Sequence, residues 1–333
     1  MKFSIAVPTG EDGVYAPPHF AGPDQFVQLA KMAEKMGFEA VWTIDFTTPS
    51  PSMGIKDMEP PHWYESLITL AYLAAETSRI KLGTGVLILP NREPVLLAKQ
   101  MATLDVISKG RAILGVGNGK YIDEFKMLHP QLKKFHRATM LEEGLEAQRC
   151  LLTDHKASFK GKYYEFANIS IYPKPLQKPF PIYLGGVHVD SARRVAEWCT
   201  GWIMSVSTTL ATLEERINRL KPLLEERGRN ISEIDLAVVA VHSIAKNHDM
   251  AVKKFKNSRV VKRSAGQDMN DFVHRNLIGS PREIADKVKD LEQKGITHIF
   301  ISNHANENFE DLLEQVQMLG EEVLPQFRPN QGL

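Results

Sequence analysis

The fold prediction for this chain starts from residues 81–119, KLGTGVLILPNREPVLLAKQMATLDVISKGRAILGVGNG. Together with the preceding Ile80, this stretch predicts a strand over residues 80–89, a helix over 94–108 and a second strand over 111–116. Both strands are apolar on both faces, as parallel strands covered by helices should be. The stretch therefore predicts one strand–helix–strand unit of a parallel sheet or barrel.

The same alternation of strand and helix continues on both sides of this unit. Strands are predicted at residues 3–7, 40–44, 80–89, 111–116, 181–184, 202–205, 234–241 and 298–302. Helices are predicted at residues 24–36, 64–76, 94–108, 136–152, 191–199, 213–227, 280–295 and 309–323. Either a doubly wound open sheet or a closed barrel fits this order, and eight units over 333 residues favour a (β/α)₈ TIM barrel.

Two segments are longer than an ordinary connection between a strand and a helix. Residues 153–180 carry the strand-like run YYEF and are expected to form a small hairpin. Residues 246–278 form a long polar insertion after the seventh strand. Because no linker or repeat divides the chain, we expect a single barrel domain over residues 1–333, with insertions after strands 4 and 7.

Composition excludes several classes of protein. The chain is 43% hydrophobic and 24% charged with a formal net charge of +1, which gives no electrostatic case for binding nucleic acid. Cys150 and Cys199 are far apart, so neither a disulfide framework nor a metal site is expected. Because no signal peptide and no apolar run of membrane-spanning length is apparent, we expect a cytoplasmic protein without a membrane partner.

In a barrel of this kind, functional residues lie after the carboxyl ends of the strands. The candidates are Asp45-Phe46, Gly85-Val86, Gly117-Asn118-Gly119, Gly185-Gly186, Ser205-Val206-Ser207 and Asn303-His304. The run LGVGNG at residues 114–119 is not a dinucleotide fingerprint, because its glycine spacing differs and no acidic ribose ligand follows. It is either a tight turn or a close approach of the backbone to a flat ligand.

Several segments resemble the bacterial luciferase-like superfamily of flavin- and deazaflavin-dependent oxidoreductases. They are the opening stretch 81–119, RATMLEEGLEAQRCLL at 137–152, FKGKYYEFANISIYPKPLQKPFPIYLGG at 159–186, and the pair Gly201-Trp202. The resemblance covers nearly the whole chain in the right order. It implies a barrel that binds the isoalloxazine ring of a flavin at the ends of its strands.

The resemblance also implies roles for individual positions. Gly85-Val86 matches a non-prolyl cis peptide under the ring, and Asn118 matches a contact with the ring's edge. The glycine pair and the two serines after strands 5 and 6 match the phosphate-binding region, although a bare turn and helix capping explain them equally well. The predicted cofactor contacts are Asp45, Phe46, Gly85, Val86, Asn118, Gly119, Gly185, Gly186, Ser205, Val206 and Ser207.

One departure from the resembled family concerns catalysis. Many relatives have a histidine where this chain has Phe46, and phenylalanine cannot transfer a proton. His62 is the nearest substitute by topology, although a lone loop histidine is commonly solvated. Four more histidines lie on loops that could reach the site: His19, His129, His188 and His304.

The leading hypothesis is a flavoprotein monooxygenase that oxidises a small organic substrate with reduced FMN and O₂. No nicotinamide fingerprint is present, so a separate flavin reductase is expected to deliver the cofactor. The alternatives are a coenzyme F420-dependent hydride-transfer enzyme and an inactive flavin-binding protein. Phe46 favours FMN, whereas the basic residues of 246–278 could meet the acidic tail of the deazaflavin. By analogy with relatives, a homodimer formed through outer helices is expected.

Overall fold

Eight parallel strands close into a barrel in the structure, a computed structural model that describes residues 1–55, 60–205, 210–263 and 268–328. They are β1 (Lys2–Ala6), β2 (Ala40–Thr43), β3 (Lys81–Thr84), β4 (Ala112–Gly117), β5 (Ile182–Gly185), β6 (Gly201–Ser205), β7 (Asp235–Ile244) and β8 (His298–His304). Each strand pairs in parallel with the next, and β8 pairs with β1 to complete the ring. The predicted TIM-barrel fold is confirmed.

One principal helix follows each barrel strand. These are α1 (Pro23–Met36), α2 (Ser66–Glu76), α3 (Pro94–Ile107), α4 (Arg137–Thr153), α5 (Ser191–Trp198), α6 (Leu210–Glu225), α7 (Pro281–Gln293) and α8 (Phe309–Met318). The start of α7 is fixed by a capping box, in which the Ser280 side chain accepts from the Glu283 backbone N–H and Glu283 accepts in return from Ser280. No helix among the described residues is long and apolar enough to cross a membrane.

Glycines in β3 and β4 make room for a large side chain inside the barrel. Trp42 of β2 is fully buried and packs against Tyr183 and Phe300, with ring centroids 5.7 and 5.1 Å away. A Cβ atom on Gly83 would lie 2.4 Å from the Trp42 ring, and one on Gly115 would lie 2.0 Å from the Thr84 carbonyl oxygen. Gly83 and Gly115 are therefore required by the packing of the barrel interior.

The third strand differs from its predicted course. Instead of one strand over residues 80–89, the structure has β3, a break at Gly85-Val86 and a short strand Leu87–Ile88 that pairs with β4. The Gly85–Val86 peptide bond is cis, as the resemblance implied. The break displaces the chain at the carboxyl end of β3, which is where a functional site is expected.

The two insertions lie between α4 and β5 and after β7. The first contains the predicted hairpin, formed by antiparallel strands Ala157–Lys160 and Glu165–Ile169. The second is more structured than the predicted polar insertion, because the buried side chains of Phe255, Val260 and Phe272 form a small core of their own. It contains helices His248–Asn257, Arg259–Arg263 and Met269–Arg275, and strand Leu277–Gly279, which pairs with β7.

Shorter elements complete the described chain. They are helix Ile122–Leu128, 3₁₀ turns Pro51–Met53, Leu89–Asn91, Ile231–Glu233 and Leu324–Phe327, and a π-helical turn Leu319–Val323. The main hydrophobic core lies between the outer faces of the strands and the inner faces of the helices. The carboxyl ends of the strands are left for loops, and these loops form the site.

Candidate functional site

A cleft of about 410 Å³ opens at the carboxyl ends of the strands. Its volume lies within the range of small-molecule and cofactor sites. Six of the predicted cofactor contacts line it: Phe46, Gly85, Val86, Gly185, Gly186 and Ser205. Its other lining residues are Tyr15, Ile44, Val187, Ile203, Met204, Val239, Phe300, Ser302 and Asn303. No charged side chain lines the cleft among the described residues, so its walls suit the uncharged, apolar part of a ligand.

Val86 forms the floor of this cleft. A Cβ on Gly117 would lie 2.7 Å from one Val86 methyl, and a Cβ on Gly185 would lie 2.8 Å from the other. A Cβ on Gly85 would meet the Phe300 ring at 2.7 Å. Because these three positions lack side chains, Val86 lies across the tops of β4 and β5 and presents its branched surface to the cleft.

The Gly185-Gly186 turn is already used within the barrel. The Gly186 backbone N–H donates to the Ile203 carbonyl at 3.2 Å, and the Trp202 indole N–H donates to the Gly186 carbonyl at 2.8 Å. The Gly186 N–H is thus not free for a phosphate, and a phosphate contact at Ser205 stays a prediction. The predicted contacts Val206 and Ser207 lie outside the described residues.

Asp45 lies behind the cleft wall. One of its carboxylate oxygens accepts from the Ile88 backbone N–H at 2.8 Å, and the other pairs with the Arg92 guanidinium at 2.6 Å. Burial raises the pKa of Asp45 above its ordinary value, although Arg92 acts against this shift. The carboxylate therefore fixes the turn that follows Val86, and a direct contact with a cofactor stays a prediction.

Phe46 belongs to an aromatic wall, and His62 lies apart from it. The Phe46 ring packs on Trp63 and Tyr121, with centroids 5.0 and 6.2 Å away. His62 donates its backbone N–H to Asp12 at 2.8 Å, and its ring packs edge-on against His19 at 4.8 Å. The side chain of His62 is not among those lining the cleft, so a catalytic role for it stays a prediction.

The loop after β4 is held from behind by Arg137. This side chain donates to the carbonyl oxygens of Asn118 and Gly119 at 3.2 and 3.1 Å. The Asn118 side-chain oxygen is buried and has no hydrogen-bond partner among the described residues. A buried amide oxygen without a partner is unusual, and a hydrogen-bond donor of a bound ligand would satisfy it.

Among the buried titratable groups at this end of the barrel, Glu11 and His242 were not predicted, whereas His304 was a predicted candidate. Glu11, on the loop after β1, is 0% exposed, and burial raises its pKa to about 8. His242 and His304 lie with their Nδ1 atoms 3.1 Å apart, and burial lowers the pKa of His304 to about 4. The only sequence signal for Glu11 is its place shortly after a strand, since no spacing motif marks it.

Metal binding has no visible basis in the described parts of the chain. No group of three or more His, Cys, Asp or Glu side chains lies close enough there to hold an ion.

Known proteins share this architecture and sequence. The family described as luciferase-like monooxygenase matches residues 1–298. The chain belongs to the luciferase-like monooxygenase family. Over 330 residues it is 28% identical to the FMNH(2)-dependent dimethylsulfone monooxygenase of Pseudomonas putida, covering 90% of this chain and 87% of that protein.

Relatives of this luciferase-like chain also include deazaflavin enzymes. It is 26% identical over 330 residues to the F420-dependent glucose-6-phosphate dehydrogenase of Amycolatopsis mediterranei, covering 90% of this chain and 96% of that protein. In fold, it matches a monooxygenase from Streptomyces bottropensis with a TM-score of 0.82 and 22% identity, over 98% of this chain and all of that one. The family is therefore one of oxidoreductases that use reduced FMN or coenzyme F420.

The site of this luciferase-like chain fits a flavin or a deazaflavin. An apolar floor at Val86, glycines at the tops of β4 and β5, and an unpartnered Asn118 oxygen suit a flat ring with polar atoms at its edge. These features are shared requirements of the two cofactors.

Proposed function

We propose that this chain is a monooxygenase that uses reduced FMN and O₂ to oxidise a small organic substrate. Phe46 carries this proposal, because a packed aromatic wall stands where a base is expected in hydride-transfer relatives. Bound reduced FMN supplies two electrons and two protons, so that one atom of O₂ enters the substrate and the other leaves as water. An apolar cleft favours such chemistry by excluding bulk water.

Residues of the cleft have distinct tasks in this proposal. Val86 supports the ring from below, Asn118 accepts a hydrogen bond from its edge, and Ser205 binds near the phosphate. The Asp45–Arg92 ion pair, at 2.6 Å, fixes the turn that carries Val86 in place. A pre-positioned site of this kind reduces the reorganisation that binding would otherwise require.

The proposal includes two protein partners. A separate reductase supplies reduced FMN, since the chain carries no dinucleotide fingerprint. A second copy of the chain covers the apolar side chains on the outer helices, of which Ile68 on α2 is 74% exposed and Leu96 on α3 is 58% exposed.

Comparative titration and turnover test the choice of cofactor. We expect the cofactor-free chain to bind reduced FMN more tightly than reduced coenzyme F420, and to consume O₂ when FMN is bound. Phe46→His is expected to increase release of hydrogen peroxide relative to oxygenated product, because a polar group admits water to the cleft. Clearly tighter binding of the deazaflavin to the wild-type chain would overturn the proposal.

One observation favours the second candidate, a deazaflavin-dependent hydride transfer. Glu11 is a buried carboxyl whose raised pKa, about 8, suits a proton donor at neutral pH, so a base at position 46 is not indispensable. The same titration decides between the two cofactors. Absence of turnover with either one would indicate a flavin-binding protein without catalytic activity.

A further inference from the structure

We propose that Glu11 is the acid–base residue of the cleft, which gives a proton to the reacting oxygen and later recovers it. The loop after β1 carries Glu11 at the same end of the barrel as the cleft. Its side chain is fully buried, and neither carboxyl oxygen has a hydrogen-bond partner among the described residues. A buried polar group in this state needs a ligand, a water molecule or a chemical role to explain it.

The main chain around Glu11 is fixed against the lining of the cleft. A Cβ on the preceding Gly10 would lie 2.9 Å from the Phe46 ring and 3.2 Å from Ile44. The Glu11 carbonyl oxygen accepts the backbone N–H of Tyr15 at 2.9 Å. Phe46, Ile44 and Tyr15 all line the cleft, so the main chain at Gly10 and Glu11 lies directly behind its wall, and the Glu11 side chain is not itself among the lining residues.

Other buried carboxyls of the described chain differ from Glu11 in one respect. Each of them accepts hydrogen bonds from backbone or side-chain donors: Asp12, Asp45, Asp105, Glu124 and Asp235. Glu124 is the closest match, since it is 1% exposed and accepts the Thr47 backbone N–H at 2.9 Å. A structural role accounts for these five residues, and it does not account for Glu11.

Protonation alone does not resolve the position of Glu11. Burial raises its pKa to about 8, so the carboxyl is neutral at pH 7 and avoids the cost of a buried charge. The neutral acid still has one O–H donor and acceptor oxygens that lack partners. It is therefore a proton donor prepared for a group that enters the cleft.

The proton step itself is balanced and rests on the proposed function. The atom of O₂ that does not enter the substrate leaves as water and must take up protons. Glu11 gives its O–H proton to that oxygen, becomes a carboxylate and is restored by one of the two protons that reduced FMN gives up, so that the water formed receives two protons in all. The side chain is unchanged over a cycle, so no additional oxidant or reductant is needed.

Three variants of the full chain test this assignment: Glu11→Gln, Glu11→Asp and, as the matched control, Glu124→Gln. In the cofactor-free wild-type protein, infrared difference spectra are expected to show a protonated carboxyl that ionises near pH 8. That signal is expected to be absent from Glu11→Gln and present in Glu124→Gln. Fluorescence titration is expected to give the same affinity for reduced FMN in all four proteins.

Turnover supplies the second measurement. In Glu11→Gln we expect kcat to fall about 100-fold or more with little change in KM, because general acid–base catalysis contributes that much. Wild-type kcat is expected to decline as pH rises through about 8, where the acid form is lost. This decline is expected to disappear in Glu11→Gln, to persist in Glu124→Gln, and to return with partial activity in Glu11→Asp.

Two outcomes would overturn the assignment. One is an unchanged infrared titration in Glu11→Gln, which would show that another group ionises near pH 8. The other is loss of FMN binding or stability in Glu11→Gln with the alkaline decline retained, which would indicate a structural role. If the wild-type chain turns over only with the deazaflavin, the proposed function fails separately, and the cofactor-free infrared titration still decides whether Glu11 holds the proton.

Discussion

The buried polar groups at the two ends of the barrel differ in whether they have hydrogen-bond partners. At the amino-terminal end, the Asp235 carboxylate accepts from Tyr183, Thr297 and His298 at 2.7, 2.6 and 2.9 Å, and pairs with Lys2 at 3.2 Å. At the carboxyl end, Glu11, the Asn306 amide and His242 Nε2 have no partners among the described residues. Polar groups that satisfy one another stabilise a fold, whereas unsatisfied ones mark the place where a ligand or water completes them.

The amino-terminal network also shows why geometry alone does not define a catalytic site. Ser4 Oγ lies 2.6 Å from His298 Nε2, and His298 Nδ1 lies 2.9 Å from Asp235, which is the order of a hydrolase triad. Ser4 and His298 are 0% exposed, and they lie at the end of the barrel opposite the cleft. No substrate reaches this serine, so the array is structural.

Removal of Asp235 should have the largest effect on stability. Asp235→Ala leaves Tyr183, Thr297 and His298 without their common acceptor in the barrel interior. Breaking a buried ion-paired network costs about 3–5 kcal/mol, and we expect a loss of this size in the free energy of unfolding measured with urea. Affinity of the folded protein for reduced FMN should not change. A loss below about 1 kcal/mol would contradict the structural role of the network.

One titratable group at each end of the barrel, Asp235 and His304, should destabilise the protein in acid. Burial would raise the pKa of Asp235, but His298 and Lys2 hold it below its ordinary value, so its contribution is lost as pH falls below that value. Burial lowers the pKa of His304 from 6.5 to about 4, so the folded chain binds a proton at His304 less readily than the unfolded chain does. Stability is therefore lost progressively as pH falls from 6.5 to 4. That shift corresponds to about 3 kcal/mol.

Unfolding free energies at pH 4.5 and pH 7 check this expectation. The unfolding free energy at pH 7 minus that at pH 4.5 should be smaller, with its sign, in His304→Gln than in the wild-type chain, because the variant has no imidazole to protonate at that position. Glu11 acts in the opposite direction, since its folded pKa of about 8 exceeds its ordinary value of 4.5. The contribution of Glu11 to stability is lost as pH rises from 4.5 to 8. In Glu11→Gln, the unfolding free energy should therefore fall less over this pH range than in the wild-type chain.

The carboxyl end should respond to a change of one methyl group. In Gly185→Ala, the new Cβ lies 2.8 Å from a Val86 methyl, so the floor of the cleft must shift. Overpacking of this kind costs about 1–3 kcal/mol, and we expect the Kd for reduced FMN to rise about tenfold or more. Gly22→Ala is the control, since its Cβ meets nothing closer than 3.5 Å at the start of α1. Equal affinity in the two variants would show that Val86 does not support the cofactor.

Much of the fold could be predicted because its signals are local. Apolar runs, helical periodicity and the capping box at Ser280 specify eight strand–helix units without knowledge of their neighbours. Residues 246–278 were predicted less well, because their small core combines scattered apolar residues with many charged ones. The cis peptide at Gly85-Val86 was expected from the family resemblance only, and the break in the third strand was not predicted, since a continuous apolar run conceals it.

The candidate site was partly predictable for the same reason. Phe46, Val86 and Ser205 come together because the carboxyl ends of parallel strands meet at one end of a barrel. Glu11 was not predicted, because a carboxylate in a turn is ordinarily exposed, and its burial depends on loops distant in sequence. The use of the Gly186 N–H within the barrel likewise depends on its neighbour Ile203, which the sequence does not indicate.

The smallest effect on the folded chain is expected at the outer helices. Ile68 and Tyr72 lie one turn apart on α2 and are 74% and 42% exposed, which suits burial against a second copy. Ile68→Glu should convert a dimer to a monomer in sedimentation at micromolar concentration, because it places a charge in the apolar contact. The barrel itself should change in stability by about 0.5 kcal/mol or less, since the side chain is exposed within one chain. Met250→Glu is the control, because Met250 is 51% exposed on helix His248–Asn257 of the insertion, away from α2 in the fold. Dissociation by Met250→Glu alone would show that α2 is not the contact. A monomeric wild-type chain would show that there is no such contact and that the site is complete within one copy.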